Sequence, residues 1–154
     1  MNVFVADEQA ERVDVPGLRK LIERALEMEA CPTDTEVSLI LVGDDEMAGY
    51  NEQFLDRAGP TDVISLPIER LVPGKPPGMA PDGPPPMLGD VILDPAHIRR
   101  EAAELGRDFD NDLALLVVHG LLHLLGYDHA VDTEAERMEE RERHILEAVG
   151  HKPR

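Results

Sequence analysis

Three of the six histidines, His119, His123 and His129, fall inside one short run, VVHGLLHLLGYDH, from Val117 to His129. Residues four apart on a helix share a face with their Cβ atoms about 6 Å apart, so the imidazoles of His119 and His123 can reach a single ion. Gly126 follows the last helical turn, where a glycine readily takes the left-handed conformation that stops a helix and turns the chain back. That turn brings His129 towards the same point from outside the helix. Three protein ligands with an open fourth position are the arrangement of a catalytic zinc site with one ion per chain, whereas structural sites usually close the tetrahedron, commonly with cysteine. The single cysteine, Cys31, lies far away beside Pro32 and reads as a small buried or loop thiol. Hydrogen bonds inside a core helix would account for any one of these histidines. Three together, in a run otherwise apolar from Leu113 to Leu125, need partners that a metal supplies. Such an ion would lower the pKa of a water and polarise a phosphoryl oxygen, the chemistry of a metal-dependent hydrolase.

The spacing of the three histidines and Gly126 also fits the metzincin pattern His-Glu-x-x-His-x-x-Gly-x-x-His, with Gly120 standing in the place of the glutamate. In a zinc protease that glutamate is the general base, and glycine can neither take nor give a proton. Zinc ligation is compatible with this change; the peptidase mechanism is not. A proton acceptor must come from elsewhere. Asp128, beside the third histidine, is the candidate, either as an orienting partner or as a proton acceptor. Asp62 and Ser65 either fix a nearby strand or serve ordinary capping and turn roles.

The run HGLLHLLGYDH resembles the signature of the YbeY family of bacterial rRNA-maturation endoribonucleases. PTDVISLP (Pro60 to Pro67) is similar to that family's first strand motif and LGDVIL (Leu88 to Leu93) to its second, in the same order before the histidine helix. The resemblance runs from about residue 37 to residue 150. It implies a zinc-dependent, single-strand-specific endoribonuclease that matures the 3′ end of 16S rRNA and acts in late-stage ribosome quality control. Single-stranded RNA, rRNA and the ribosome are the implied partners, and His119, His123 and His129 the zinc ligands. Many members carry an arginine that helps to hold RNA phosphate where this chain has Leu55. Arg57, two residues on, is the candidate substitute.

Composition sets a counterweight. The formal net charge is −17 and the sequence pI about 4.6, the opposite of a general nucleic-acid footprint. A bound divalent ion and a few arginines facing one cleft can still make a local positive field. The 154 residues suit one domain spanning 1–154, and 42% apolar with 3% aromatic residues imply a core of Leu, Val, Ile and Met. One cysteine rules out an intrachain disulfide, and the N-terminus shows no basic and apolar leader. A soluble, cytoplasmic, monomeric protein without DNA or membrane partners is expected.

The elements that must position the histidines read as an α+β fold: a small mixed sheet of about four strands packed with about five helices around a central apolar helix carrying the metal motif. Val3 to Val5 read as a short edge strand, and Pro16 opens a helix with Leu18, Leu21, Ile22 and Ala25 inward. VSLILV (Val37 to Val42) is apolar on both faces, as an interior strand is. Asp44 is expected to cap a helix burying Met47, Tyr50 and Phe54. Val63 to Leu66 and Gly89 to Leu93 are two more strands, separated by a Pro/Gly-rich loop insertion over 73–86. Asp94 and Pro95 open a helix with Ile98, Ala102 and Leu105 inward, Arg99 and Arg100 outward and His97 on the surface. Asp110 is expected to cap the histidine helix. Thr133 and Glu136 have capping-box spacing for a last helix burying Val131, Ala135, Met138, Ile145 and Val149, with His144 and His151 on the surface. No regular βαβ pattern is apparent.

Two rival readings share the histidines. A zinc peptidase or other metallohydrolase would need a different base, and a non-catalytic ribosome-assembly factor would hold its metal for structure alone.

Overall fold

Period-two alternation in the strands decides which side each helix covers. A computed structural model describes residues 1–78 and 83–151, which form β1 (Asn2–Glu8), α1 (Val15–Met28), β2 (Glu36–Val42), α2 (Asp44–Leu55), β3 (Val63–Pro67), β4 (Met87–Leu93), α3 (Pro95–Leu105), α4 (Phe109–Leu124) and α5 (Asp132–Ala148). The sheet order is β1-β2-β4-β3, with β1, β2 and β4 parallel and β3 antiparallel to β4. In β2 and β4, Leu39 and Leu41 pair with Val91 and Leu93 and join the main core, while Ile40 pairs with Ile92 on the opposite face. That opposite face is covered by α2 through Met47, packed with Val42, Ile64 and Ile92. The strands β1 and β2, joined through α1, form a parallel βαβ unit that the sequence pattern hides. Its first strand runs on through Asp7 and Glu8, charges that only an edge strand tolerates.

The central helix is α4, packed against β3, β4, α1, α3 and α5. Its first turn is capped by Asp108, whose carboxylate accepts the Asn111 N–H at 3.0 Å. From Leu113 to Leu124 only Leu115, His119 and His123 are partly open. At spacing i, i+4, i+8 these three form one stripe, so the single open line on a buried helix carries two of the three metal candidates. The helix closes on Leu125, with Tyr127 N–H donating to the Leu122 carbonyl at 3.0 Å and Gly126 N–H to the His123 carbonyl at 3.1 Å. This is a Schellman ending, and it requires Gly126: its φ is +97°, and a Cβ there would lie 2.1 Å from the Leu71 carbonyl oxygen.

Several sequence expectations are corrected. The cap of α2 is Gly43, not Asp44, and Asp44 instead bonds Arg100 at 2.9 Å. Phe54 is 45% exposed, because the inward position of that turn goes to Asn51, whose amide donates to the Gly59 carbonyl. Leu105 is exposed too, its helix ending at Gly106 (φ +65°), so the buried stripe stops at Ala102. Asp108 takes the cap expected of Asp110, because starting earlier lets Phe109 pack on the core beneath the Arg99 guanidinium. For α5 the cap is Val131, itself exposed, so Thr133 falls inside the helix and forms no capping box. Two histidines expected on the surface are half-buried. His97 Nε2 sits 3.2 Å from Glu101 and His151 Nδ1 3.1 Å from Asn111, while His144 is exposed as expected. The 73–86 insertion lies partly outside the described residues, but its described ends are fastened: Glu36 N–H donates to the Pro86 carbonyl at 2.7 Å and Arg137 to the Pro73 carbonyl at 3.3 Å. Among the described residues no helix is long and apolar enough to cross a membrane.

Candidate metal centre

The imidazoles of His119, His123 and His129 each present a ring nitrogen within 4.8 Å of the other two. His119 and His123 come from the open stripe of α4, and His129 from the loop that Gly126 turns back. Two further contacts fix how the rings on α4 are used. His119 Nδ1 is 2.5 Å from Glu142 Oε1 on α5, and His123 Nδ1 is 3.0 Å from the Tyr127 carbonyl. A carboxylate and a carbonyl only accept, so both Nδ1 atoms carry the proton. In neutral rings both Nε2 atoms are then bare, and they face each other at 3.0 Å. Two lone pairs at that distance repel unless a proton or a metal ion lies between them, and two nitrogens bound tetrahedrally to one zinc stand about 3.3 Å apart. The donor set therefore fits a divalent ion. Burial, then the neighbouring His119, holds the His123 pKa below its ordinary value, keeping the ring neutral and free to ligate.

The sheet explains the glycine in this motif. Alternation in β3 and β4 points Val63, Ser65 and Val91 at α4, and a Cβ on Gly120 would lie 2.7 Å from Val91 Cγ1 and 3.2 Å from both Ser65 Oγ and Val63 Cγ2. Ser65 Oγ–H donates to the Gly120 carbonyl at 2.9 Å, fastening helix to strand. Gly120 is thus a close-packing point facing the sheet, where a glutamate side chain has no room.

The triad stands where two open clefts meet. One, about 690 Å³, is walled by α4 and α5 and exposes His119, His129, Asp62 and Glu142. The other, about 610 Å³, runs along β3 and the segment after it and exposes His123, His129, Asp128 and Leu55. Asp128 is exposed, and its Oδ1 accepts the backbone N–H of His129 at 2.7 Å, shaping the loop that presents the third imidazole. Asp62 accepts the N–H of Val63 at 2.7 Å, a cap on the first residue of β3. Arg57 is exposed just after α2 and lines neither cleft. Cys31 is buried away from the triad, and burial pushes its thiol up to about 11.

Glu142 escaped the sequence reading because it sits in a dense run of acids and arginines. A signal was present. Met138, Glu142 and Ile145 follow helical spacing, so this one acid falls on the apolar stripe of α5 and must be buried with a partner.

Comparison with known proteins agrees with this geometry. Residues 4–150 match the family model of endoribonuclease YbeY. The chain is 39% identical to endoribonuclease YbeY of Mycolicibacterium smegmatis, covering 96% of this chain and 82% of that one. It is 42% identical to endoribonuclease YbeY of Acidothermus cellulolyticus, over 89% of this chain and 84% of the other. Its fold is similar to the solution structure of TM1509 from Thermotoga maritima, with a TM-score of 0.61 and 25% identity over 96% and 91% of the two chains. With its three histidines converged on the open stripe of a buried helix, the chain belongs to the YbeY family of endoribonucleases, RNA-cleaving hydrolases.

Proposed function

We propose that this protein is a zinc-dependent, single-strand-specific endoribonuclease that matures the 3′ end of 16S rRNA and acts in late-stage ribosome quality control, working as a cytoplasmic monomer. The observation that carries the metal dependence is the convergence of three imidazole nitrogens within 4.8 Å of one another at the junction of two open clefts. When bound, a divalent ion supplies Lewis acidity to a water and to a phosphoryl oxygen. The protein supplies the rest. Glu142 and the Tyr127 carbonyl hold two rings in the ligating tautomer, Ser65 locks α4 to β3, and Asp128, which lines the β3 cleft, holds the loop of His129. His129 is exposed, which suits a site that admits a substrate rather than a closed structural one. The peptidase reading is disfavoured because the position of its glutamate faces the sheet.

The test is cleavage of a single-stranded RNA and of precursor 16S rRNA by metal-loaded protein. Activity is expected to disappear with chelator, to return with zinc, and to be absent on duplex RNA and on peptides. Metal-loaded protein that leaves RNA intact, or that cuts peptides instead, would overturn the proposal.

A further inference from the structure

A chain with 32 acidic and 15 basic residues must still bring RNA phosphates up to its metal centre. Most of its guanidinium groups near acids are already engaged. Arg99 bonds Glu11 at 2.8 Å, Arg100 bonds Asp44 at 2.9 Å, Arg141 bonds Glu29 at 2.8 Å, and Arg107 lies 4.0 Å from Asp112. Two others differ in both place and state. Arg143, on α5, lines the cleft that exposes His119, and Arg70, just after β3, lines the cleft that exposes His123. They are the only arginine or lysine side chains lining either cleft among the described residues. Neither makes an ion pair with a described residue, although Glu139, one helical turn from Arg143, lines the same cleft and Glu69 adjoins Arg70. In so acidic a chain, two unpaired guanidinium groups, one in each cleft, are the basic side chains available to a ligand beside the triad among the described residues.

We infer that Arg70 and Arg143 hold the phosphates on either side of the scissile one, so that a single strand of RNA crosses the triad from the α5 cleft to the β3 cleft. This rests on the RNA reading proposed above. A guanidinium fork binds phosphate through two parallel hydrogen bonds, and a single strand can bend through both clefts where a duplex cannot follow. The two arginines act on binding and register, while the three histidines hold the ion.

The experiment uses metal-loaded full-length protein and a labelled single-stranded RNA of about 12 nucleotides, a length that spans few phosphate contacts. Binding is followed by fluorescence anisotropy across a salt series, with RNA integrity checked on a gel, and cleavage is followed separately. Arg70→Ala and Arg143→Ala are each expected to weaken binding about tenfold. Each should also reduce the steepness of log affinity against log salt by about 0.7, the value for one phosphate on a single strand. KM should rise with little change in kcat, and metal content should stay at the wild-type level. Arg70→Lys and Arg143→Lys should recover part of the affinity, and Arg19→Ala, on α1, should behave as wild type. Unchanged binding and salt slope in both alanine variants, with a wild type that binds and cleaves, would overturn this inference alone. So would a loss confined to Arg57→Ala. A wild type that neither binds nor cleaves single-stranded RNA would overturn the proposed function and this inference with it.

Discussion

Two histidine–carboxylate pairs in this protein look alike and do different things. His97 and Glu101 pair at 3.2 Å one turn apart on α3, whereas His119 and Glu142 pair at 2.5 Å across 23 residues of sequence and two helices. Around His97 the charges close on themselves. Its backbone N–H donates to Asp94, Asp44 bonds Arg100, and among the described residues it joins no cluster of metal-ligating side chains. Around His119 the valence stays open. Once Glu142 has taken Nδ1–H, the other ring nitrogen faces the bare nitrogen of His123. A site arises where separate elements each bring a ligand and leave one bond unmade, and titratable residues on a single helix do not suffice for it.

The largest expected effect removes that open valence. Wild-type protein should carry about one divalent ion per chain, and His123→Ala should carry essentially none while remaining folded. Elemental analysis after gel filtration decides it, and metal retained by the variant would show that the ion sits elsewhere.

Next comes the carboxylate that separates the two pairs. Glu142→Ala should weaken metal affinity about 10- to 100-fold, the usual cost of losing a partner that orients a ligating histidine. Glu142→Gln should fall in between, since its amide oxygen still accepts from Nδ1–H. The matching change in the other pair, Glu101→Gln, should leave affinity untouched. Competition with a chromophoric chelator measures all three, and equal losses at positions 101 and 142 would mean that general electrostatics, not ring orientation, tunes the site.

The same contrast marks what could be read in advance. The histidine run, the stop at Gly126 and the strands VISL and GDVIL were legible because spacing and apolar period point one way. Register was less so. That Gly120 meets Val91 and Ser65 depends on how β3 and β4 pair, a contact between segments about 30 to 55 residues apart that local patterns do not specify. Helix caps were misplaced by one or two residues at Asp44, Asp110 and Thr133 because acids cluster at each start and any of them satisfies the local signal. Glu142 was concealed by its charged neighbours, and only its phase with Met138 and Ile145 betrays it.

A smaller effect tests the seat of α4 on the sheet. Gly120→Ala places a Cβ 2.7 Å from Val91 Cγ1 and should cost about 1–3 kcal/mol by overpacking. Urea unfolding reads this, with the midpoint lowered and the slope preserved. An unchanged midpoint would show that the helix can lift from β3 without penalty, and the packing account of this glycine would fail.

The smallest effect belongs to the closed cluster and depends on pH. Asp94 is fully buried, its Oδ1 accepting from the His97 N–H at 3.2 Å and its Oδ2 lacking a protein donor. Burial, followed by the neighbouring Asp44 carboxylate, raises its pKa from 3.8 to about 6, while the Arg100 guanidinium lowers that of Asp44. The protonated carboxyl is therefore the form the fold prefers at position 94. For an acid raised in this way, the stabilisation is fully present below the unfolded pKa and is lost as pH rises through the folded one, so the window is about pH 4 to 6. A shift of this size corresponds to at most ~3 kcal/mol. Asp44 ionises in the opposite sense and offsets part of it. Asp94→Asn keeps the acceptor for His97, adds a donor towards Asp44 and cannot ionise, so it should gain stability over wild type as pH rises from 4 to 6 and hold that gain at pH 7. Urea midpoints of the two proteins across this range measure the difference, and a difference that does not vary with pH would mean that Asp94 stays ionised in the fold.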